Sequence, residues 1–181
     1  LLPYAAAGET PESIGLLVRE FVTELTGKQT IYQMIRLAEE IRRRGGLPQD
    51  PQAYKAEYHD RLMSRIAARR QGLADGTLPR EALLVPGSVA ILEGLRARGA
   101  AIYIASGTDE PYVLEEARLL GVDLYAPGRI YGAQPDHASF SKEMVIQRIL
   151  KENAVDGASL IAFGDGYVEI ADSKAVGGCA V

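Results

Sequence analysis

The sequence is poor in cysteine and in surplus positive charge, and it has no long apolar run. A single cysteine, Cys179, among 181 residues excludes an intramolecular disulfide framework and argues for a reducing compartment. Lysine and arginine number 20 against 24 aspartates and glutamates, a formal net charge of -4, with pI near 5.3. No basic face for nucleic acid is implied, although a mildly acidic protein can still hold an anion at a local site. No apolar stretch approaches the roughly 20 residues that span a bilayer. The opening Leu1-Leu2-Pro3-Tyr4 has neither the basic region nor the apolar run of a signal peptide. The expected location is therefore cytoplasmic, with no nucleic-acid partner and no membrane. There is no initiator methionine, which raises the expectation of a segment upstream. Repeats, low-complexity tracts and the Gly-rich phosphate loops of Rossmann or P-loop type are also missing. What remains is an ordinary globular composition, 47% apolar with mean hydropathy -0.04, long enough for one domain or a core with a small second lobe.

Helical spacing fills the first ~75 residues without a strand pattern. Thr10-Pro11 supplies an N-cap and a first-position proline, and Ile14, Leu17, Val18, Phe21, Val22 and Leu25 repeat until Gly27 stops the run. A second helix is expected from about Thr30 to Arg42-Arg43-Arg44-Gly45-Gly46, its positive end matching the helix dipole. Asp50-Pro51 opens a third, whose Tyr54, Tyr58, Leu62 and Ile66 lie at packing spacing. After Pro79 strands alternate with helices. Ala101 to Ala105 is expected to be a strand ending at Ser106, and Glu110 to Leu120 a helix. Val122 to Tyr125 and Arg129 to Tyr131 should be extended, Ser141 to Asn153 helical, and Leu160 to Phe163 a buried strand. A short helix near Glu169 to Lys174 and a last apolar piece, Cys179 to Val181, complete βαβ units of a parallel sheet.

Candidate chemistry gathers at the ends of those strands, where open α/β sheets bind ligands. The strand ending at Phe163 gives way to Gly164-Asp165-Gly166, with Glu169 and Asp172 close behind. Asp165 and Glu169 are near enough to share one hard cation through carboxylate oxygens; the plainer alternative is an Asp-Gly turn followed by a capping carboxylate. Ser106-Gly107-Thr108 offers a hydroxyl and backbone N–H groups to a phosphate oxygen, or is an ordinary strand-to-helix turn. Lys142 stands at a helix N-terminus, against the dipole, where it serves a phosphate or a carboxylate or else is a solvated surface lysine. His59 and His137 lack a metal-ligand pattern and are assigned nothing, and Asp172 is a supporting or surface acid. Arg129, Tyr131, Asp136 and His137 fall on the side of the sheet and could rim a site.

Together these pieces resemble the haloacid dehalogenase superfamily of phosphohydrolases, matching three of its four motifs in their usual order. Ser106 resembles the second motif, where Ser or Thr binds the phosphoryl group. Lys142 resembles the third-motif lysine, which steadies phosphoryl charge, and Gly164-Asp165 through Glu169 the fourth, whose acids hold Mg²⁺. Pro86-Gly87-Ser88-Val89 leading to Leu95 through Gly99 resembles the return from a helical cap to the core. The resemblance implies an α/β fold: a Rossmann-like parallel-sheet core over residues 83–181, incomplete at both ends, with an N-terminal helical cap over residues 1–82.

The family's first motif, an apolar strand ending in Asp-x-Asp-x-Thr, does not occur. Asp75-Gly76-Thr77-Leu78 imitates its end, but Leu73 stands at the nucleophile's place and Arg69-Arg70-Gln71-Gly72 is no buried strand. The central strand is thus expected to be absent, and the chain to be a fragment, inactive by itself. The resemblance implies that the complete protein is a Mg²⁺-dependent phosphomonoesterase acting on a small phosphorylated metabolite through an aspartyl-phosphate. Ser106, Gly107 and Lys142 would hold the phosphoryl group, and Asp165 and Glu169 the metal. Two alternatives stand beside it: a sugar-phosphate phosphotransferase or mutase, and a non-catalytic module binding a phosphorylated ligand or a partner.

Overall fold

The structure is a computed structural model that describes residues 1–181 with the exception of His137, so the expectation attached to that histidine lies outside the described residues. Contacts divide the chain into two compact units, residues 1–60 with 141–181 and residues 61–140. Among the described residues no helix is long and apolar enough to cross a membrane.

The first unit begins with helices α1 (Pro11–Glu24) and α2 (Thr30–Arg43). Thr10 and Ser13 cap α1 reciprocally: Thr10 Oγ1 accepts from the Ser13 amide at 3.1 Å, and Ser13 Oγ accepts from the Thr10 amide at 2.9 Å. Ile14 and Phe21, two turns apart, are buried on α1, as are Ile31, Ala38 and Ile41 on α2, which packs against it. The basic end of α2 does more than answer a dipole. Arg36, Arg43 and Arg44 all pair with the buried Glu40, and Arg44 also pairs with Glu9, in the turn before α1, at 2.6 Å. One guanidinium thus ties the entrance of the first helix to the exit of the second.

The same unit contains α6 (Lys142–Asn153), strand β3 (Ile161–Ala162), α7 (Tyr167–Ala175) and strand β4 (Cys179–Ala180). β3 and β4 run parallel, pairing Ile161 with Cys179 and Ala162 with Ala180, and α7 makes the crossover. The expectation of a buried strand from Leu160 to Phe163 is corrected: Ile161 is 55% and Phe163 50% exposed. The ladder is two residues long, α7 packs on the pair, and side chains alternate, so every second residue faces away from the helix.

Helix α3 (Pro51–Asp75) carries the chain from the first unit into the second. Its expected packing stripe is only partly realised. Tyr58 is 45% exposed and Gly72 is the buried residue of the helix, because a stripe one side chain wide among so many charges cannot be enclosed. The Asp75-Gly76-Thr77 imitation is a helix end, where Asp75 Oδ1 accepts from the Thr77 amide at 3.0 Å and hydroxyl at 2.6 Å.

The second unit continues with α4 (Ser88–Ala97), strand β1 (Ile104–Asp109), α5 (Glu110–Leu120) and strand β2 (Ile130–Ala133). Its core is Ile102, Val113, Ala117, Ala126 and Ile130, with Leu92, Leu95 and Ile104 packed around it. Two expectations are corrected. Val122 to Tyr125 is a 3₁₀ turn, opened by Gly121 in the left-handed region, rather than extended. β1 starts at Ile104, not Ala101, and runs through Ser106, because β1 pairs with β2 and the ladder begins where β2 begins, at Ile104↔Ile130. The register then breaks between Ala105 and Asp109. The architecture is α/β, with parallel strand pairs joined by helical crossovers.

Candidate functional site

Two glycines flank Asp165 as the chain leaves β3, and Gly166, in extended backbone, is the N-cap of α7. This places Glu169 in the first turn of α7, where a carboxylate is favoured by the helix dipole. Ser141 caps α6 by accepting from the Met144 amide at 3.1 Å, which sets Lys142 at the first helical position. α6 and α7 pack together, and Lys142 Nζ donates to Glu169 Oε1 in a close ion pair between two mostly buried side chains. The partner that makes Lys142 worth placing against its own dipole is therefore a carboxylate of the candidate cation motif.

The electrostatics extend beyond the pair. Burial pulls the Lys142 ammonium below its ordinary pKa, and the charges of Asp165 and then Asp172 resist it. Burial raises the Asp172 carboxyl, Glu143 adds to the rise, and Lys142 opposes it. Asp165 itself is exposed. Lys142 thus sits in the field of three acids that the sequence placed 23 or more positions later (165 - 142 = 23).

Glu169 has one satisfied oxygen and one orphan. Its Oε2 is buried and has no hydrogen-bond partner. Glycines surround it: a Cβ built on Gly166 would lie 2.4 Å from Oε2, one on Gly27 3.1 Å from it, and one on Gly164 2.9 Å from the Glu169 Cγ. A buried carboxylate oxygen without a donor is costly, on the order of 1–3 kcal/mol or more for a charged group. Among the described residues no three His, Cys, Asp or Glu side chains gather into a protein-only metal cage. Mg²⁺ needs no such cage, since it is held by one or two carboxylates while waters and substrate phosphate oxygens complete its octahedron. Hard carboxylate oxygens, one of them an uncompensated Oε2, are the donor type such a cation takes, and Asp165 and Glu169 are the residues that would hold it.

In residues 61–140, Ser106 and Gly107 occupy the register break of β1. Ser106 Oγ accepts from the Thr108 amide at 3.2 Å, so the local turn and the anion-binding reading are compatible. The hydroxyl accepts from its own turn and keeps its O–H to donate outward. Nearby, Glu110 Oε2 accepts from Gln134 Nε2 at 2.9 Å, bracing the start of α5 against the end of β2. The structure thus pairs Lys142 with Glu169, sets Asp165 and Asp172 within electrostatic reach of Lys142, and places Ser106 with Gly107 on a strand irregularity of the other unit. Sequence reasoning missed Gly27, which it read as a helix stop. The helix already ends at Glu24, and Gly27 stands in the turn beyond it with φ of +88°; nothing local reveals its approach to Glu169.

A model of a known family, described as haloacid dehalogenase-like hydrolase, matches residues 4–177. No curated protein matches the chain.

Proposed function

We propose that this chain, which belongs to the haloacid dehalogenase-like hydrolases, carries the cation-binding and phosphoryl-binding side chains of a Mg²⁺-dependent phosphomonoester hydrolase. The observation that carries this reading is Glu169, held on one oxygen by Lys142 and left with a buried, unpartnered second oxygen. Mg²⁺ held by Asp165 and Glu169 would neutralise negative charge on phosphoryl oxygens. Lys142 adds a compact ammonium that its pairing with Glu169 keeps from straying, and it serves phosphoryl oxygens as a point charge. Ser106 donates its free O–H, and Gly107 its backbone N–H, to the same class of oxygens. The helices of residues 1–82 select the leaving group, a small metabolite, and exclude water. A reducing, cytoplasmic setting agrees with the lone Cys179.

The covalent step needs a carboxylate nucleophile on phosphorus, with the alcohol leaving and water later releasing phosphate. Asp-x-Asp-x-Thr does not occur in residues 1–181. The reading therefore has these residues bind cation and phosphate without turnover until such a nucleophile is supplied. The same absence favours a second reading, a phospho-ligand module that never turns over.

Calorimetric titration with Mn²⁺ or Mg²⁺, followed by inorganic phosphate, tests the binding. One cation per chain is expected, weakened about tenfold or more in Asp165→Asn and Glu169→Gln, since a charge-assisted contact contributes roughly 1.5–3 kcal/mol. Lys142→Ala should weaken phosphate by a similar factor. Wild-type cation affinity in Asp165→Asn would sink the assignment. Release of phosphate from a phosphomonoester by a longer form of the chain separates the hydrolase from the binding module.

A further inference from the structure

We infer that Gly27, in the turn between α1 and α2, is a positioning residue that sets the Glu169 carboxylate in place for the cation; this rests on the reading of Glu169 as a cation ligand. Gly27 and Glu169 belong to the same compact unit although they stand 142 positions apart (169 - 27 = 142). The turn comes close to the orphan oxygen: a Cβ at position 27 would meet Glu169 Oε2 at 3.1 Å and the Val168 Cβ and Cγ2 at 3.3 Å. The turn is itself firmly seated, with buried Phe21 before it and buried Gln29 and Ile31 after it. Glu169 is therefore held between a charged anchor and a wall. Lys142 fixes Oε1, and the Gly27 backbone limits where Oε2 can go. A side chain there would push Glu169 or Val168 aside by a few tenths of an ångström, and the left-handed φ of +88° favours glycine on backbone grounds as well. The α1–α2 turn and the cation carboxylate are thereby coupled, and coupling is reciprocal: whatever seats the cation also steadies the turn.

Gly27→Ala combines two effects, backbone strain and the contact with Glu169. Gly8 and Gly45 separate them, because they have φ of +90° and +75° with nothing within 4 Å of an added Cβ. Mn²⁺ affinity of the full chain is measured for Gly27→Ala, Gly8→Ala and Gly45→Ala, together with the melting temperature of each. The expected result is an affinity reduced about tenfold in Gly27→Ala and unchanged in the two controls, at comparable losses of stability. Hydrogen exchange on the wild type supplies a readout that needs no variant at position 27: Mn²⁺ should slow exchange of the amides of residues 26–29, and should not do so in Glu169→Gln. Equal Mn²⁺ affinity in Gly27→Ala and Gly45→Ala, or exchange at residues 26–29 indifferent to Mn²⁺, overturns the inference. If Glu169→Gln loses Mn²⁺ while Gly27→Ala keeps it, the inference fails alone. If the wild type binds no Mn²⁺, or Glu169→Gln binds it normally, the cation reading fails and the inference with it.

Discussion

Glu40 and Glu169 both bury carboxylate oxygens, and their partners tell a structural acid from a site acid. Glu40 is 3% exposed, and both of its oxygens meet arginine, Oε1 with Arg36 and Arg43 and Oε2 with Arg44. Burial pushes its carboxyl up, but Arg44, Arg36 and Arg43 together outweigh burial and hold it below the usual range. Nothing about Glu40 is left over for a ligand. Glu40→Gln should cost about 1–3 kcal/mol of stability, because it takes one of two carboxylate partners from the buried Arg44 guanidinium, and should leave cation affinity unchanged. Denaturant unfolding beside a Mn²⁺ titration checks both halves. Gly166→Ala makes the opposite case. Its φ of -108° suits alanine, so backbone strain is absent, but the new Cβ would stand 2.4 Å from Glu169 Oε2. Cation affinity should fall several-fold for a stability loss under about 1 kcal/mol. A variant that unfolds readily yet binds Mn²⁺ normally would show that the glycine serves the helix start and not the carboxylate.

The helices were largely legible because their signals are local. Thr10-Pro11, Thr30, Asp50-Pro51 and Ser141 mark starts that the structure reproduces, and Glu110 to Leu120 is helical over the expected span. The strands were legible in type but not in extent, since a ladder begins where its partner does, as β1 does opposite Ile130. The Glu9–Arg44 clasp was not legible at all. Its members are 35 positions apart, and each looks like an ordinary surface charge. The clasp has a pH signature. The Arg44 guanidinium, aided by the Ala6 amide, holds the Glu9 carboxyl at about 2, against 4.5 for an ordinary glutamate. A depressed folded pKa means that the stabilisation is present above 4.5 and is lost as pH falls through about 2. The melting temperature of the wild type should therefore drop more steeply than that of Glu9→Gln between these values. Glu40, Asp75 and Glu115, also held low, leave a residual slope in both proteins. Parallel curves would remove Glu9 from the account.

At the scale of the whole chain, the candidate site was readable where its parts are close in sequence and hidden where they are not. Asp165 and Glu169 share one turn and the start of one helix, so spacing alone exposes them, whereas the wall that Gly27 forms exists only in the folded unit. The same distinction governs the apolar run that ends at Gly164. Hydropathy marks it as core, but burial is decided by what packs on each face. Ile161 and Phe163 stand out on the exposed side of β3, while Phe21 in the same unit is 4% exposed. Two phenylalanines of one unit should therefore answer truncation very differently. Phe21→Ala should cost about 3–5 kcal/mol, the penalty for emptying a core site. Phe163→Ser should change stability by about 0.5 kcal/mol or less and reduce binding of a hydrophobic dye to the native protein. Cys179, exposed and paired with Ile161 across the β3–β4 ladder, should be alkylated in the native state as readily as in denaturant. If instead Phe163→Ser is as destabilising as Phe21→Ala and Cys179 is protected, the face is covered in solution. Sedimentation at rising concentration would then decide whether a second copy of the chain covers it.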